Sequence, residues 1–291
     1  MATPGGRVDS EGGRENADTD GDHVDLVREE MRDRCIRLLT EAGDPTEPFG
    51  LYVLPAAVPD SELARHVERS VFAEWFGNTP EMLAEEYAAY EDASVFLCVM
   101  DHERRLPAGA MRISLPSSAG FKTLDDLKRI WEVDLPALGR KLEFVLDTDH
   151  MMDVGTMAVM PEYRGNATEG LVALSLIAGM CALWHRCGTR WMVSVMDLLA
   201  LDRIQVLTNN SLQKFPGLEP RNYLDSPASI PVYVDVRREI ERLQDADPFT
   251  YEIAHGRGLE STVRPPAWSV VELPGVVASG LPAASKQWET S

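Results

Sequence analysis

The residues whose types and order can carry chemistry lie in one stretch, Met152-Asp153-Val154-Gly155-Thr156-Met157-Ala158-Val159-Met160-Pro161-Glu162-Tyr163-Arg164-Gly165-Asn166. It reads as a strand, a sharp turn and a helix start. Asp153 alternates with Met152 and Val154 and so faces the opposite side of its strand. There it is either a structural carboxylate paired with an arginine or a general base that takes a proton from an amine. Glu143, Asp147, Asp149 and His150, just upstream, are alternatives for that job. Gly155 within an apolar strand predicts a bulge or a close backbone approach by a ligand. A bulge would splay this strand from its neighbour and free backbone N–H groups. Arg164, with the N–H groups of Gly165, Asn166, Ala167 and Thr168 at the positive end of a long helix, forms either an anion site or an ordinary turn. Arg112, between the apolar Met111 and Ile113, is either a solvent-facing edge residue or an inward guanidinium that holds a carboxylate by two bonds.

The elements that must position these groups follow from periodicity. Helices are expected over 23–40, from the Pro59-Asp60-Ser61 start to Trp75, and from Thr79-Pro80-Glu81 to about Tyr90. Strands over Phe49–Pro55, Ser94–Met100 and Ala108–Leu115 follow from apolar, β-branched runs, the last two as an antiparallel pair. Thr123 is expected to cap a helix ending near Trp131. The strand Met151–Met160 leads into a long helix from about Asn166 to Arg186, then a strand from Arg190 to Met196 and a helix from about Leu198 to Lys214. Two short strands, Leu218–Leu224 and Ile230–Val236, precede a last helix ending near Gln244. The order predicts an α/β domain, with a sheet of mixed direction and flanking helices.

The pattern Ala158-Val159-x-Pro161-x-Tyr163-Arg164-Gly165 before a long apolar helix resembles the GNAT acyltransferase superfamily. Val71-Phe72, Asp92, Met111-Arg112, the Asp153–Val159 strand and Ile230-Pro231-Val232-Tyr233 resemble its autoinducer (acyl-homoserine lactone) synthases and long-chain N-acyl amino acid synthases. The resemblance implies a GNAT-like mixed sheet in a single main domain. It also implies that the backbone near Val159 holds an acyl-pantetheine arm, and that the segment Arg164 to Thr168 holds the donor's phosphates. The N–H groups near Met157 would then hold the oxyanion, Asp153 would act as base, Arg112 would bind the acceptor, and Tyr223 would protonate the leaving thiol. The implied reaction moves an acyl group from a thioester, acyl-coenzyme A or an acyl-carrier protein, to the amine of a small amino-acid-like acceptor. It uses no metal. Counted from Arg164, Ala167 and Glu169 occupy the places where the family usually has small residues. A different class stays open on that ground, a non-catalytic ligand-binding or scaffold protein of the same fold.

Composition bounds the rest. The 291 residues carry a formal charge of -19, which disfavours a general nucleic-acid binder. The longest nearly apolar run, Leu171 to Trp184, is too short for a membrane span. The four cysteines form no C-x-x-C pair, and the first twenty residues show no secretory signal, so a cytoplasmic protein is expected. Histidines lack metal-ligand spacing, and no G-x-S-x-G, P-loop or G-x-G-x-x-G occurs. Residues 1–22 read as a disordered acidic arm, 23–48 as a helix and linker, 49–244 as the acyltransferase-like domain and 245–291 as an irregular tail. Between Arg104 and Lys141, eight basic residues face four acids, a net +4 that suits an acidic carrier or coenzyme A phosphates.

Overall fold

The computed structural model describes residues 16–43, 45–142, 147–267 and 273. Helix α1 (Asn16–Glu41) leads to β1 (Phe49–Pro55), α2 (Ser61–Phe76) and α3 (Pro80–Tyr87). Strands β2 (Ser94–Asp101) and β3 (Leu106–Ser114) form the expected antiparallel pair. Two short helices, α4 (Lys122–Arg129) and α5 (Leu135–Lys141), precede β4 (Met151–Val159), α6 (Leu171–Cys187), β5 (Trp191–Asp197) and α7 (Leu198–Leu207). The chain then adds β6 (Gln213–Lys214), β7 (Arg221–Tyr223), β8 (Ser226–Asp235), α8 (Val236–Ala246), α9 (Pro248–Ala254) and β9 (Val263–Arg264).

All nine strands belong to one sheet in the order β6-β8-β5-β4-β3-β2-β1-β9, with β7 on β8. The β4–β5 pair is parallel and joined by α6, and its other long neighbours are antiparallel. Strand alternation splits the core into two layers. Leu51, Val53, Leu97 and Val99 pack toward α6, while Leu54, Phe96, Cys98 and Met100 pack toward α1 and α2. A third cluster, with Phe121, Leu127, Trp131, Met151 and Trp191, seats α4 and α5 beside the start of β4.

Several boundaries differ from the sequence expectation for physical reasons. Helix α1 starts at Asn16, within the stretch read as a disordered arm; residues 1–15 lie outside the described residues. Helix α6 starts at Leu171, not near Asn166, because Glu169 and Gly170 hold left-handed φ values of 50° and 80° that no right-handed helix contains. Thr123 does not cap α4; Phe121 holds that position and Thr123 sits one residue inside the helix. The segment read as an irregular tail contributes α9 and β9, which pairs with β1.

Candidate active site

Strand β4 is where the sheet opens. Its pairing with β5 covers Met151–Trp191 to Val154–Ser194 and stops, although both strands continue. On the other side, the register to β3 shifts between Arg112–Thr156 and Ile113–Val154, leaving Gly155 as the extra residue of a bulge. A side chain does not fit there. A Cβ on Gly155 would lie 2.7 Å from the Tyr87 ring, whose hydroxyl donates to the Gly155 carbonyl at 2.8 Å. The bulge expected from this glycine is thus present, and the splay begins at it.

Beyond the bulge, the hydrogen-bond alternation decides which backbone groups are free. Met160 N–H donates to the Ala108 carbonyl at 2.9 Å, so Ala158 and Thr156, two and four residues earlier, also point their N–H groups at β3. Met157 and Val159 therefore point theirs at the gap left by β5. That gap is a cleft of about 380 Å³ that passes through the plane of the sheet. Val71, Phe72, Trp75 and Phe76 of α2 wall one end, and Ile204 and Leu207 of α7 wall the other.

Of the residues singled out in the sequence, Met157, Val159, Arg164, Gly165 and Tyr223 line this cleft. Arg164 is already engaged. Its Nε donates to the Val159 carbonyl at 2.7 Å, its Nη2 meets Glu74 at 3.0 Å, and its guanidinium lies 5.4 Å from the Trp75 ring centre. Asn166, Ala167 and Thr168 do not line the cleft. The chain makes a 3-10 turn there, and the Thr168 hydroxyl bonds back to the Tyr163 carbonyl at 2.7 Å. Gly165, Gly170 and Ala173 line it instead, bringing the first turn of α6 to its edge. Glu169 is exposed and does not line the cleft.

Arg112 does not line the cleft. It is 3% exposed and its guanidinium is filled, by Glu68 at 2.9 and 2.7 Å and by Glu91 at 2.7 Å. Although burial lowers it, the two carboxylates prevail and hold its pKa above the ordinary value. Glu68 also accepts from the Thr156 hydroxyl at 2.5 Å, so this ion pair anchors α2 to the strand that carries the bulge.

Asp153 does not line the cleft either. It lies on the α4 side of β4, 1% exposed, where its two oxygens accept from the Thr123 N–H at 2.6 Å and the Thr123 hydroxyl at 2.7 Å. Burial raises its pKa to about 6 against the lowering effect of both Thr123 bonds. Of the alternatives, Glu143 lies outside the described residues, while Asp147 and His150 bond each other at 2.8 Å away from the cleft lining. The local alternation holds: Met152 and Val154 pack in the layer toward α6, and Asp153 faces away from it toward α4.

Tyr223 reaches a buried polar cluster. Its hydroxyl donates to Asp126 at 2.7 Å and accepts from Lys122 at 2.8 Å, and Lys122 is also bonded to Glu86 at 2.9 Å. Burial first, then the Tyr87 and Asp126 charges, hold the phenol pKa well above its usual value. The basic segment is correspondingly depleted. Arg112 and Lys122 are buried in ion pairs, and Lys128 and Arg129 are bonded to Asp125 and Asp126. Sequence reasoning missed Asp197, Ser226 and Ser229, which also line the cleft; serines in a strand edge carry no local pattern that marks them.

Among the described residues, no group of three or more His, Cys, Asp or Glu is placed to hold a metal, and no helix is long and apolar enough to cross a membrane. A mixed sheet that parts after a bulged central strand, with a helix beginning at the gap, is a fold this chain shares with solved acyltransferase structures. The coenzyme-A-dependent acyl-homoserine lactone synthase BjaI, solved with SAM and isopentyl-CoA, is one structure with this fold. It matches 75% of this chain and 93% of its own at TM-score 0.50 and 18% identity. FeeM, an N-acyl amino acid synthase from uncultured soil microbes, matches 67% and 94% at TM-score 0.50 and 13% identity. No protein-family model and no curated protein matches the sequence.

Proposed function

We propose that this protein is an N-acyltransferase that carries an acyl group from a thioester to the amine of a small amino-acid-like acceptor. The observation that supports it is the cleft between β4 and β5, onto which the Met157 and Val159 N–H groups face. An amide-bearing pantetheine arm laid along β4 would complete the interrupted sheet by strand addition. The thioester carbonyl then lies at the Met157 N–H, which holds the oxyanion formed on attack. Removal of one such donor from an oxyanion site typically costs about 2.7–4 kcal/mol. The donor's phosphates extend to Arg164, Gly165 and the first turn of α6. Phe72, Trp75, Phe76, Ile204 and Leu207 offer the apolar wall that a fatty acyl chain needs and an acetyl group does not. Tyr223 keeps its proton at neutral pH and passes it to the departing thiolate, while the Lys122 ammonium stabilises the phenolate left behind.

BjaI is named as coenzyme-A-dependent and FeeM as an N-acyl amino acid synthase, and both names agree with this reading. The engaged Arg164–Glu74 pair favours the second reading, a binding module that does no chemistry. The two separate in one experiment. Acyl-coenzyme A and acyl-carrier donors of graded chain length are tested for thermal stabilisation and for thiol release with a panel of amino acids and aliphatic amines. A donor at a hundred times its Kd should add about 2.7 kcal/mol, and free thiol should appear only with an amine present. Stabilisation without thiol release would establish the binding module. Neither effect with any donor would sink both readings.

A further inference from the structure

Asp197 is the one carboxylate among the described residues that line the cleft. It is the last residue of β5 and the N-cap of α7, where Oδ1 accepts from the Leu199 and Ala200 N–H groups at 2.9 and 3.3 Å. The cap uses only that oxygen. Oδ2 accepts from the Ser226 hydroxyl at 2.7 Å, and Ser226 Oγ accepts in turn from the Ser229 hydroxyl at 2.8 Å. Strand register brings the ends of this chain together, because Asp197 stands directly opposite Ser229 in the β5–β8 pair. Ser226 and Ser229 are almost wholly buried yet line the cleft, and no donor to Ser229 Oγ occurs among the described residues. Buried hydroxyls with an unfilled acceptor at one end and a carboxylate at the other form a directed proton path. A helix cap alone would need neither serine.

We infer that Ser229, Ser226 and Asp197 form the acceptor's ammonium site and the relay that deprotonates it. This rests on the acyltransferase reading and fills the role left open by Asp153, which does not line the cleft and whose two oxygens are bonded to Thr123. The ammonium donates to Ser229 Oγ. One proton leaves nitrogen for Ser229 as the Ser229 proton moves to Ser226 and the Ser226 proton to Asp197 Oδ2. The freed lone pair forms the N–C bond at the thioester carbonyl, opposite the Met157 N–H. The C–S bond then breaks and the thiolate takes the Tyr223 proton. The second nitrogen proton leaves to solvent water as the amide forms, Tyr223 regains its proton from solvent, and Asp197 gives up the first when product departs, leaving amide and thiol. The site suits acceptors that are cationic primary amines, since Asp197 is the one carboxylate among the described cleft-lining residues and the two cations there are engaged elsewhere, Arg164 with Glu74 and Arg203 over the Trp75 ring.

Asp197→Asn keeps a good N-cap residue and removes the proton acceptor, and Ser229→Ala removes the first hydroxyl. The test uses decanoyl-coenzyme A with two acceptors. One is the amine from the panel that the wild type acylates fastest; the other is hydroxylamine, which is uncharged at neutral pH and needs no base. With the amine, both variants should lose about a hundredfold or more in kcat/KM at pH 7, and the deficit should close as pH rises and the amine deprotonates itself. With hydroxylamine they should stay close to wild type, and their melting temperatures and donor affinity should not change. Variants that keep the wild-type pH profile with the amine overturn the relay alone. Equal loss with both acceptors also overturns it, because that pattern marks a damaged cleft. A wild type that acylates neither overturns the acyltransferase reading, and the relay with it.

Discussion

Arg112→Met separates a structural guanidinium from a substrate-binding one. The substitution keeps an apolar stem between the Tyr87 and Phe96 rings, whose centres lie 4.5 Å from the guanidinium carbon. It strands Glu68, which is 2% exposed and keeps, among the described residues, the Thr156 hydroxyl as its one partner. Glu91 suffers less, since its side chain is 32% exposed and Arg65 still bonds it. Breaking a buried pair by removing one member costs about 3–5 kcal/mol, mostly the unpaired charge left behind. For a domain of this size that corresponds to a fall in Tm of roughly 6–20 °C. Adding Glu68→Leu removes the stranded charge, so the double variant should recover more than half of the loss. The Thr156 hydroxyl, now without its acceptor, keeps back about 1 kcal/mol. Urea denaturation of wild type and the two variants measures all three values. Arg112→Met within about 0.5 kcal/mol of wild type, with acceptor KM raised, would refute the ion-pair reading and return Arg112 to the substrate.

Other perturbations probe the cleft from different sides. Between about pH 4 and 6 the folded protein binds a proton at Asp153 that the unfolded chain does not, so this carboxyl's contribution to stability falls as pH rises through about 6. A carboxyl raised from its ordinary range to about 6 contributes roughly 3 kcal/mol below that window, and Asp153→Asn should flatten the pH dependence of urea midpoints there. Arg164→Gln should weaken binding of intact acyl-coenzyme A at least tenfold, from a charge-assisted contact of about 1.5–3 kcal/mol, and leave a phosphate-free acyl-pantetheine nearly unaffected. Glu74→Gln should tighten the intact donor, because it frees the Arg164 guanidinium; calorimetric titration measures both. Gly155→Ala drives a methyl group into Tyr87 and should cost about 1–3 kcal/mol in chemical denaturation, with part regained when Tyr87→Leu is added.

Elements whose identity rests on local periodicity were legible in the chain. Strand β1 runs from Phe49 to Pro55 as its apolar run implies, and Gly155 marks the bulge through its lack of a side chain. What failed depends on pairings between distant positions. Arg112 meets Glu68 from 44 residues away and Asp153 meets Thr123 from 30, so neither partner is visible in the segment that carries the other. The start of α6 was misplaced because Thr168, Glu169 and Gly170 look like an ordinary first turn, whereas Glu169 adopts a left-handed conformation that only the folded loop enforces. The relay residues were missed for the same reason. Asp197 and Ser229 become neighbours only through strand register.

The half-paired state of β4 also sets how its amide protons exchange with solvent. Thr156 and Ala158 are held by β3, and their exchange requires the sheet itself to open. Met157 and Val159, between and beyond them, face the cleft and exchange without any unfolding. Protection should therefore alternate residue by residue along one short strand in the free protein, an unusual signature for the middle of a sheet. A donor that adds itself along β4 would erase the alternation by slowing those two amides and leaving their neighbours unchanged. The strand thus reports its own occupancy, and reading it requires neither the identity of the acceptor nor turnover.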